Sequence, residues 1–161
     1  MRLAAIVAGA VAVWLVTATQ VPSHERMPVA MVVIGALVSQ PYGCTDLALE
    51  PFDRSCPSHH IHTGTDLAAR EGTEVHSATA GMALVGYDPA GAGNYVVVVV
   101  DDHVRVLYCH LSEFQVITGD AVAPGQVIGL VGATGLATGP HVHLQVNVDG
   151  VPIDPDAFLG P

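Results

Sequence analysis

Beyond residue 28 the chain is written in short aliphatic runs separated by Gly, Pro and Asp. The runs are VAMVVIGALVS from Val29, TEVHSA from Thr73, GMALVGYD from Gly81, NYVVVVVDD from Asn94, VRVLYCHL from Val104, QVIGLVG from Gln126 and HVHLQVNV from His141. Valine dominates them, and β-branched side chains pack well on a pleated surface, so each run predicts a strand. Asp101-Asp102-His103 reads as a turn joining two of these strands antiparallel. No stretch repeats with the helical period. The expected fold class is therefore all-β, an antiparallel sandwich or barrel-like sheet arrangement with little helix.

One run carries more than packing information. In GPHVHLQVNV, successive side chains leave opposite faces of a strand, so His141, His143, Gln145 and Asn147 share a polar face, with Val142, Leu144, Val146 and Val148 buried behind it. Two neighbouring imidazoles on a rigid strand can share a metal, or one can bind it while the other moves protons. By the same alternation, Cys109 in VRVLYCHL faces away from Tyr108 and His110 and reads as a small buried hydrophobe.

The first residues do not follow this pattern. Leu3 to Thr19 form a charge-free apolar segment after Arg2, short for a membrane span and long for the apolar part of a signal sequence. Val16-Thr17-Ala18 has the small-residue spacing of a cleavage site. Residues 1–19 are expected to be a cleaved signal peptide or a retained membrane anchor, 20–28 a linker, and 29–161 one domain. Both N-terminal readings place that domain outside the cytoplasm.

Charge narrows the partners. The net charge is −10 and every basic side chain is arginine, since the chain contains no lysine. An acidic chain without a basic run offers no electrostatic footprint for nucleic acid. GDAVAPGQVIG, from Gly119, also recurs in lipoyl- and biotin-carrier domains, but these attach their cofactor to lysine. Only a shared architecture, a barrel-sandwich hybrid, survives from that parallel. Of the three cysteines, Cys44 and Cys56 fall in one Pro-containing loop and are natural disulfide partners in an oxidising compartment.

Three stretches hold candidate chemistry. HTGTDLAA sets His62 and Asp66 four apart on an extended segment, with Gly64 between them leaving room for an ion. YCHLS carries His110, and TGPHVHLQV carries His141 and His143. Two imidazoles and one carboxylate, with a coordination place left for water, make a catalytic zinc set, whereas a structural site takes four protein ligands. His59 and His60 read as rim residues, His76 and His103 as structural or solvated. His24 begins HERMP, which fails the helical H-E-x-x-H pattern because Pro28 takes the second histidine's place.

With these stretches in place, the chain resembles the lysostaphin-type, LytM-like zinc metallopeptidases that cut peptidoglycan peptides. The resemblance runs from about residue 36 to 159, through VSQPYG, HHIHTGTDLAAREGTEVHSATAGMALVGYD, GAGNYVVV, LYCHLS, GDAVAPGQVIGLVGATGLATGPHVHLQV and DPDAFL. It implies that His62, Asp66 and His143 hold one Zn2+ ion and that His110 and His141 are the catalytic pair. It also implies peptidoglycan peptides as substrate, a groove for them across the sheet, and a monomer. A cupin also offers H-x-H on a β-barrel, but it needs a Glu shortly downstream, and Gln145 to Val148 contains none. The alternative that stays open is a non-catalytic protein of the same fold, one that binds cell wall or activates another hydrolase.

Overall fold

Valine-rich alternation is realised in the computed structural model, which describes residues 26–161, as thirteen β-strands and one short α-helix. In chain order the strands are β1 (Leu37–Gln40), β2 (Gly43–Thr45), β3 (His60–His62), β4 (Thr65–Ala68), β5 (Glu74–His76), β6 (Gly81–Asp88) and β7 (Gly93–Val99). There follow β8 (Val104–Leu111), β9 (Glu113–Phe114), β10 (Ala121–Val122), β11 (Val127–Leu130), β12 (His141–Val148), β13 (Val151–Ile153) and the helix α1 (Pro155–Leu159). The main sheet is antiparallel in the order β1-β4-β12-β8-β7-β6-β10, with β13 paired to β12. A second sheet runs β5-β11-β9, and β2 pairs with β3 as a separate hairpin.

The two larger sheets share one core. Val96, Val98, Val106, Tyr108, Leu111, Val142, Leu144 and Val146 of the main sheet meet Val75 and Ile128 of the second in one buried cluster. Each fully buried aliphatic side chain contributes roughly 1.5–3 kcal/mol. Tyr108 is the largest of them, and its hydroxyl accepts a hydrogen bond from Ala78 N at 2.8 Å, so the polar end of the ring is satisfied inside the core. Burial pushes the Tyr108 phenol up to about 12, which keeps it neutral.

The short strands β2, β3, β4, β9, β10 and β13 lie outside the seven predicted runs, and the two ends of the domain also depart from the sequence reading. The run from Val29 was expected as a strand, but Val29–Met31 forms a turn of 3-10 helix, the chain reverses at Gly35 (φ 79°), and only Leu37–Gln40 is extended. The buried positions Val29, Val32 and Val33 are spaced by three and one, which is a helical rather than an alternating pattern. At the other end, α1 was not foreseen because five residues are too few to show a period. Its local signals are nonetheless present: the Asp154 carboxylate accepts from Asp156 N at 2.9 Å and Pro155 opens the helix.

The apolar segment at residues 3–19 and most of the 20–28 linker lie outside the described residues. Of the latter, Arg26 to Pro28 are described, and Arg26 places its guanidinium 3.8 Å from the Phe158 ring centroid. No helix among the described residues is long and apolar enough to cross a membrane.

Candidate metal centre and catalytic cleft

The site is a row across the sheet. β12 lies between β4 and β8, in a register that sets His143 opposite Asp66 on one side and Cys109 on the other, while Gln40 on β1 pairs with Asp66. Directly paired residues point to one face, so Gln40, Asp66, His143 and Cys109 line the floor of a single cleft of about 270 Å³. His141 and Gln145, two residues either side of His143, join them there. Val142, Leu144 and Val146 are fully buried on the opposite face, as alternation predicted, while Val148 at the strand end is partly exposed.

His62 enters from β3 and is 1% exposed. The chain bends at Thr63-Gly64 before β4 begins, and this brings His62 and Asp66 together from two strands rather than along one extended segment. Gly64 was expected to make space for an ion. The space it leaves is taken up by the His143 ring: a Cβ there would lie 2.8 Å from His143 Nε2 and would also meet the Leu144 carbonyl oxygen.

Three atoms converge. His62 Nε2 lies 2.9 Å from His143 Nδ1 and 3.1 Å from Asp66 Oδ1, and His143 Nδ1 lies 2.9 Å from the same oxygen. The far nitrogens identify the tautomers. His62 Nδ1 is 3.0 Å from the Pro41 carbonyl, which can only accept, so Nδ1 carries the proton. His143 Nε2 donates to Gln145 Oε1 at 3.3 Å, and that oxygen also accepts from the Thr63 hydroxyl at 2.7 Å. Two imidazole lone pairs and one carboxylate oxygen therefore face one another with no donor between them. Such a convergence is stable only around a positive charge, either a proton or a metal ion, and this trio could hold a metal ion.

Electrostatics agree with the geometry. Burial disfavours a charge on His62, but hydrogen bonding to Asp66 and Pro41 and the charges of Asp66 and Glu50 outweigh it and lift its pKa above the ordinary value. Burial works against ionised Asp66 as well, yet contacts with His143 and His62 hold its carboxyl well below the usual carboxylate range. Both shifts express a preference for positive charge at the centre.

The remaining two histidines sit beside the trio. His141 Nδ1 donates to the Gly139 carbonyl at 2.8 Å, leaving Nε2 free at 3.7 Å from Asp66 Oδ2. His110 Nδ1 donates to the Thr134 carbonyl at 2.9 Å, and the His110 and His141 ring centroids are 4.7 Å apart. Cys109 does not face away from His110 as simple alternation required. Between Asn94↔Leu111 and Val96↔Tyr108 the register advances by two residues on β7 and three on β8, so β8 carries a bulge, and His110 adopts φ 66°. Tyr108 and Leu111 stay in the core while Cys109 and His110 both line the cleft. Burial, with the neighbouring imidazoles, holds the His110 pKa below the ordinary value even though the Thr134 carbonyl pulls the other way. Burial pushes the Cys109 thiol up to about 12, so it is an unreactive thiol in the cleft floor.

The structure thus brings His62, Asp66, His110, His141 and His143 into one cleft. Cys44 and Cys56 form a disulfide across the loop that joins β2 to β3. His59 stacks on Phe52 and His60 Nδ1 binds the Glu50 carbonyl at 2.8 Å, so both act within that loop. His103 pairs with Asp149 on the surface, and His76 lies in β5 with Nδ1 buried and unpartnered. Sequence reasoning missed the cleft wall formed by Leu47, Leu49, Glu50, Leu136 and Thr138, for which it had no positional signal. It also missed Pro41 and Thr134, which act through backbone carbonyls that any residue supplies.

The chain is similar to known proteins in sequence and fold. The profile of Peptidase family M23 matches residues 60–155, more than half of the chain. The DD-carboxypeptidase/endopeptidase Mpg of Neisseria meningitidis is 41% identical over 95 residues, 59% of this chain and 22% of Mpg. The peptidoglycan DD-endopeptidase ShyA of Vibrio cholerae is 41% identical over 93 residues, 58% of this chain and 22% of ShyA. The chain thus spans about a fifth of the length of these relatives. Among solved structures, the catalytic domain of the antimicrobial peptidase lysostaphin from Staphylococcus simulans superposes with a TM-score of 0.65 at 31% identity, covering 78% of this chain and 93% of that domain.

Proposed function

This chain belongs to peptidase family M23, and from that premise we propose that it is a zinc-dependent metalloendopeptidase that hydrolyses peptide cross-links or stem peptides of bacterial peptidoglycan. The observation that carries the reading is the convergence of His62 Nε2, Asp66 Oδ1 and His143 Nδ1 at 2.9–3.1 Å with both far ring nitrogens already engaged. Two nitrogens and one carboxylate oxygen, open towards a cleft, are the donor set of a catalytic rather than a structural zinc site.

Zinc held there supplies Lewis acidity, polarising a peptide carbonyl and bringing the pKa of water down to about 7. The chain's own side chains supply the rest. His110 and His141 present Nε2 atoms to the cleft; because both Nδ1 atoms donate, a neutral ring accepts the proton of the attacking water at Nε2, and a ring protonated there hydrogen-bonds the carbonyl oxygen as charge develops on it. The acquired proton then passes to the departing amine. The lowered pKa of His110 keeps that ring neutral and able to accept a proton. A full ligand set with two further imidazoles is what supports peptide cleavage over a purely binding role.

The test is digestion of purified cell walls by the full chain and by His143→Ala, with released peptides identified by mass spectrometry and bound zinc measured in both. Release of new amino termini by the wild type alone, with zinc lost in the variant, is expected. A wild type that binds zinc and cell wall but releases no peptide overturns the reading.

A further inference from the structure

One wall of the cleft contributes no member to the trio that could hold a metal ion. It is built by the disulfide-closed loop between β2 and β3, which lines the cleft with Leu47, Leu49 and Glu50, and it faces a third leucine, Leu136. The three leucines are 51%, 64% and 54% exposed, an unusual amount of aliphatic surface to leave around a polar floor.

Glu50 is held firmly among them. Its backbone N donates to the Leu47 carbonyl at 3.1 Å, its carbonyl accepts from His60 Nδ1 at 2.8 Å, and its Oε1 accepts from Gln40 Nε2 at 3.4 Å. Its other carboxylate oxygen, Oε2, takes no hydrogen bond from the described residues. No arginine lines the cleft and the chain has no lysine, so imidazoles apart, no cationic side chain is present to neutralise this carboxylate. A fixed, half-satisfied carboxylate set in aliphatic surface has a definite complement: a chain of methylenes ending in a positively charged amine.

We propose that Glu50, Leu47, Leu49 and Leu136 form a subsite for an alkylammonium group carried by the substrate next to the scissile bond, the methylenes lying on the leucines and the ammonium donating to Glu50 Oε2. This subsite rests on the peptidase reading above. It makes Glu50 a specificity-determining residue: a peptide whose amine is free is preferred over one whose amine is masked, because masking removes the charge and leaves the carboxylate unpaired.

The experiment uses the zinc-loaded full chain, the E50Q variant, and two synthetic cross-linked stem peptides identical except that the side-chain amine of the donor strand's diamino residue, the one not engaged in the cross-link, is free or acetylated. Cleavage gives kcat/KM for each peptide, and fluorescence anisotropy of labelled peptides gives affinity independently of cleavage. The wild type is expected to favour the free amine by about tenfold, the size of one charge-assisted hydrogen bond. E50Q is expected to bring the ratio to about one by lowering kcat/KM for the free-amine peptide through KM, with zinc content unchanged. Equal handling of both peptides by the wild type, or an undiminished ratio in E50Q, overturns the subsite. Absence of cleavage with the affinity ratio intact overturns the peptidase reading and leaves the subsite standing.

Discussion

Cys109 and His110 are neighbours on β8 and yet line the same cleft, because His110 holds φ 66° at a bulge. A left-handed backbone costs a non-glycine residue roughly 1–2 kcal/mol, so this position trades stability for the placement of its ring. His110→Ala and His110→Gly are both expected to lose activity by about 100-fold or more while keeping zinc. His110→Gly is expected to be the more stable of the two by about 1 kcal/mol, because glycine relieves the backbone cost. Urea denaturation of the pair, with zinc analysis, checks both statements, and equal stability would show that the bulge carries no strain.

Gln145 acts on the centre through His143. Its Oε1 accepts from the His143 ring and from the Thr63 hydroxyl, and its amide donates to Asn147 Oδ1 at 2.8 Å, so the carbonyl end stays turned towards the imidazole. Gln145→Ala is expected to weaken zinc binding by about 10- to 100-fold with little change in fold. Competition with a chromophoric chelator measures this. Wild-type affinity in the variant would remove Gln145 from the groups that support the centre.

Acid acts on the centre through His62. With its pKa raised above 6.5 in the metal-free chain, His62 must release a proton to bind an ion, so zinc affinity falls as pH drops through that raised value. One displaced proton gives about tenfold per pH unit. Asp66, held low, stays ionised throughout this range, and His110, also held low, stays neutral. Activity is therefore expected to decline below about pH 6, and about tenfold more zinc is expected to move the decline to lower pH. The metal-free fold has the opposite tendency: the share of stability due to His62 is full below pH 6.5 and is lost as pH rises through its raised pKa. Rate profiles at two zinc concentrations decide the matter, since an acid limb indifferent to zinc would assign the decline to another group.

The disulfide is expected to matter for stability and for substrate. Cys44 and Cys56 are twelve apart, and closing a loop of that size stabilises by roughly 3 kcal/mol in the chain-entropy model. Replacing both with Ser is expected to lower Tm by about 10 °C. Because the loop carries Leu47, Leu49 and Glu50, the same variant is expected to raise KM more than it lowers kcat. Calorimetry and steady-state kinetics on one preparation test both effects, and an unchanged KM would detach the loop from the substrate.

How far the sequence could be read depended on whether the controlling interaction was local. Alternation in HVHLQVNV assigned His143 to the cleft and Val142 to the core because β12 is a regular central strand; for the same reason Leu144 is buried and Gln145 lines the cleft. Alternation failed at His110, where one extra residue reverses the count, and a bulge leaves no mark in residue type unless a glycine takes it. The grouping of His62, Asp66 and His143 was legible through family spacing, but the role of Gly64 was not, since its neighbour, the His143 ring, comes from far along the chain. The cleft wall stayed hidden because leucines in a loop carry no periodic signature.

The position of β12 between two partners sets an order of loosening. Its pairing with β4 and β8 encloses the backbone amides around His143 in a continuous ladder, whereas β2 and β3 pair with each other and, apart from an isolated bridge between His60 and Phe52, with no other strand among the described residues. Amide hydrogens near His143 should exchange with solvent only on global opening, and those of the hairpin loop far sooner. On the peptidase reading proposed above, the strands that carry Asp66 and His143 keep their geometry while the disulfide-tied hairpin beside them opens locally.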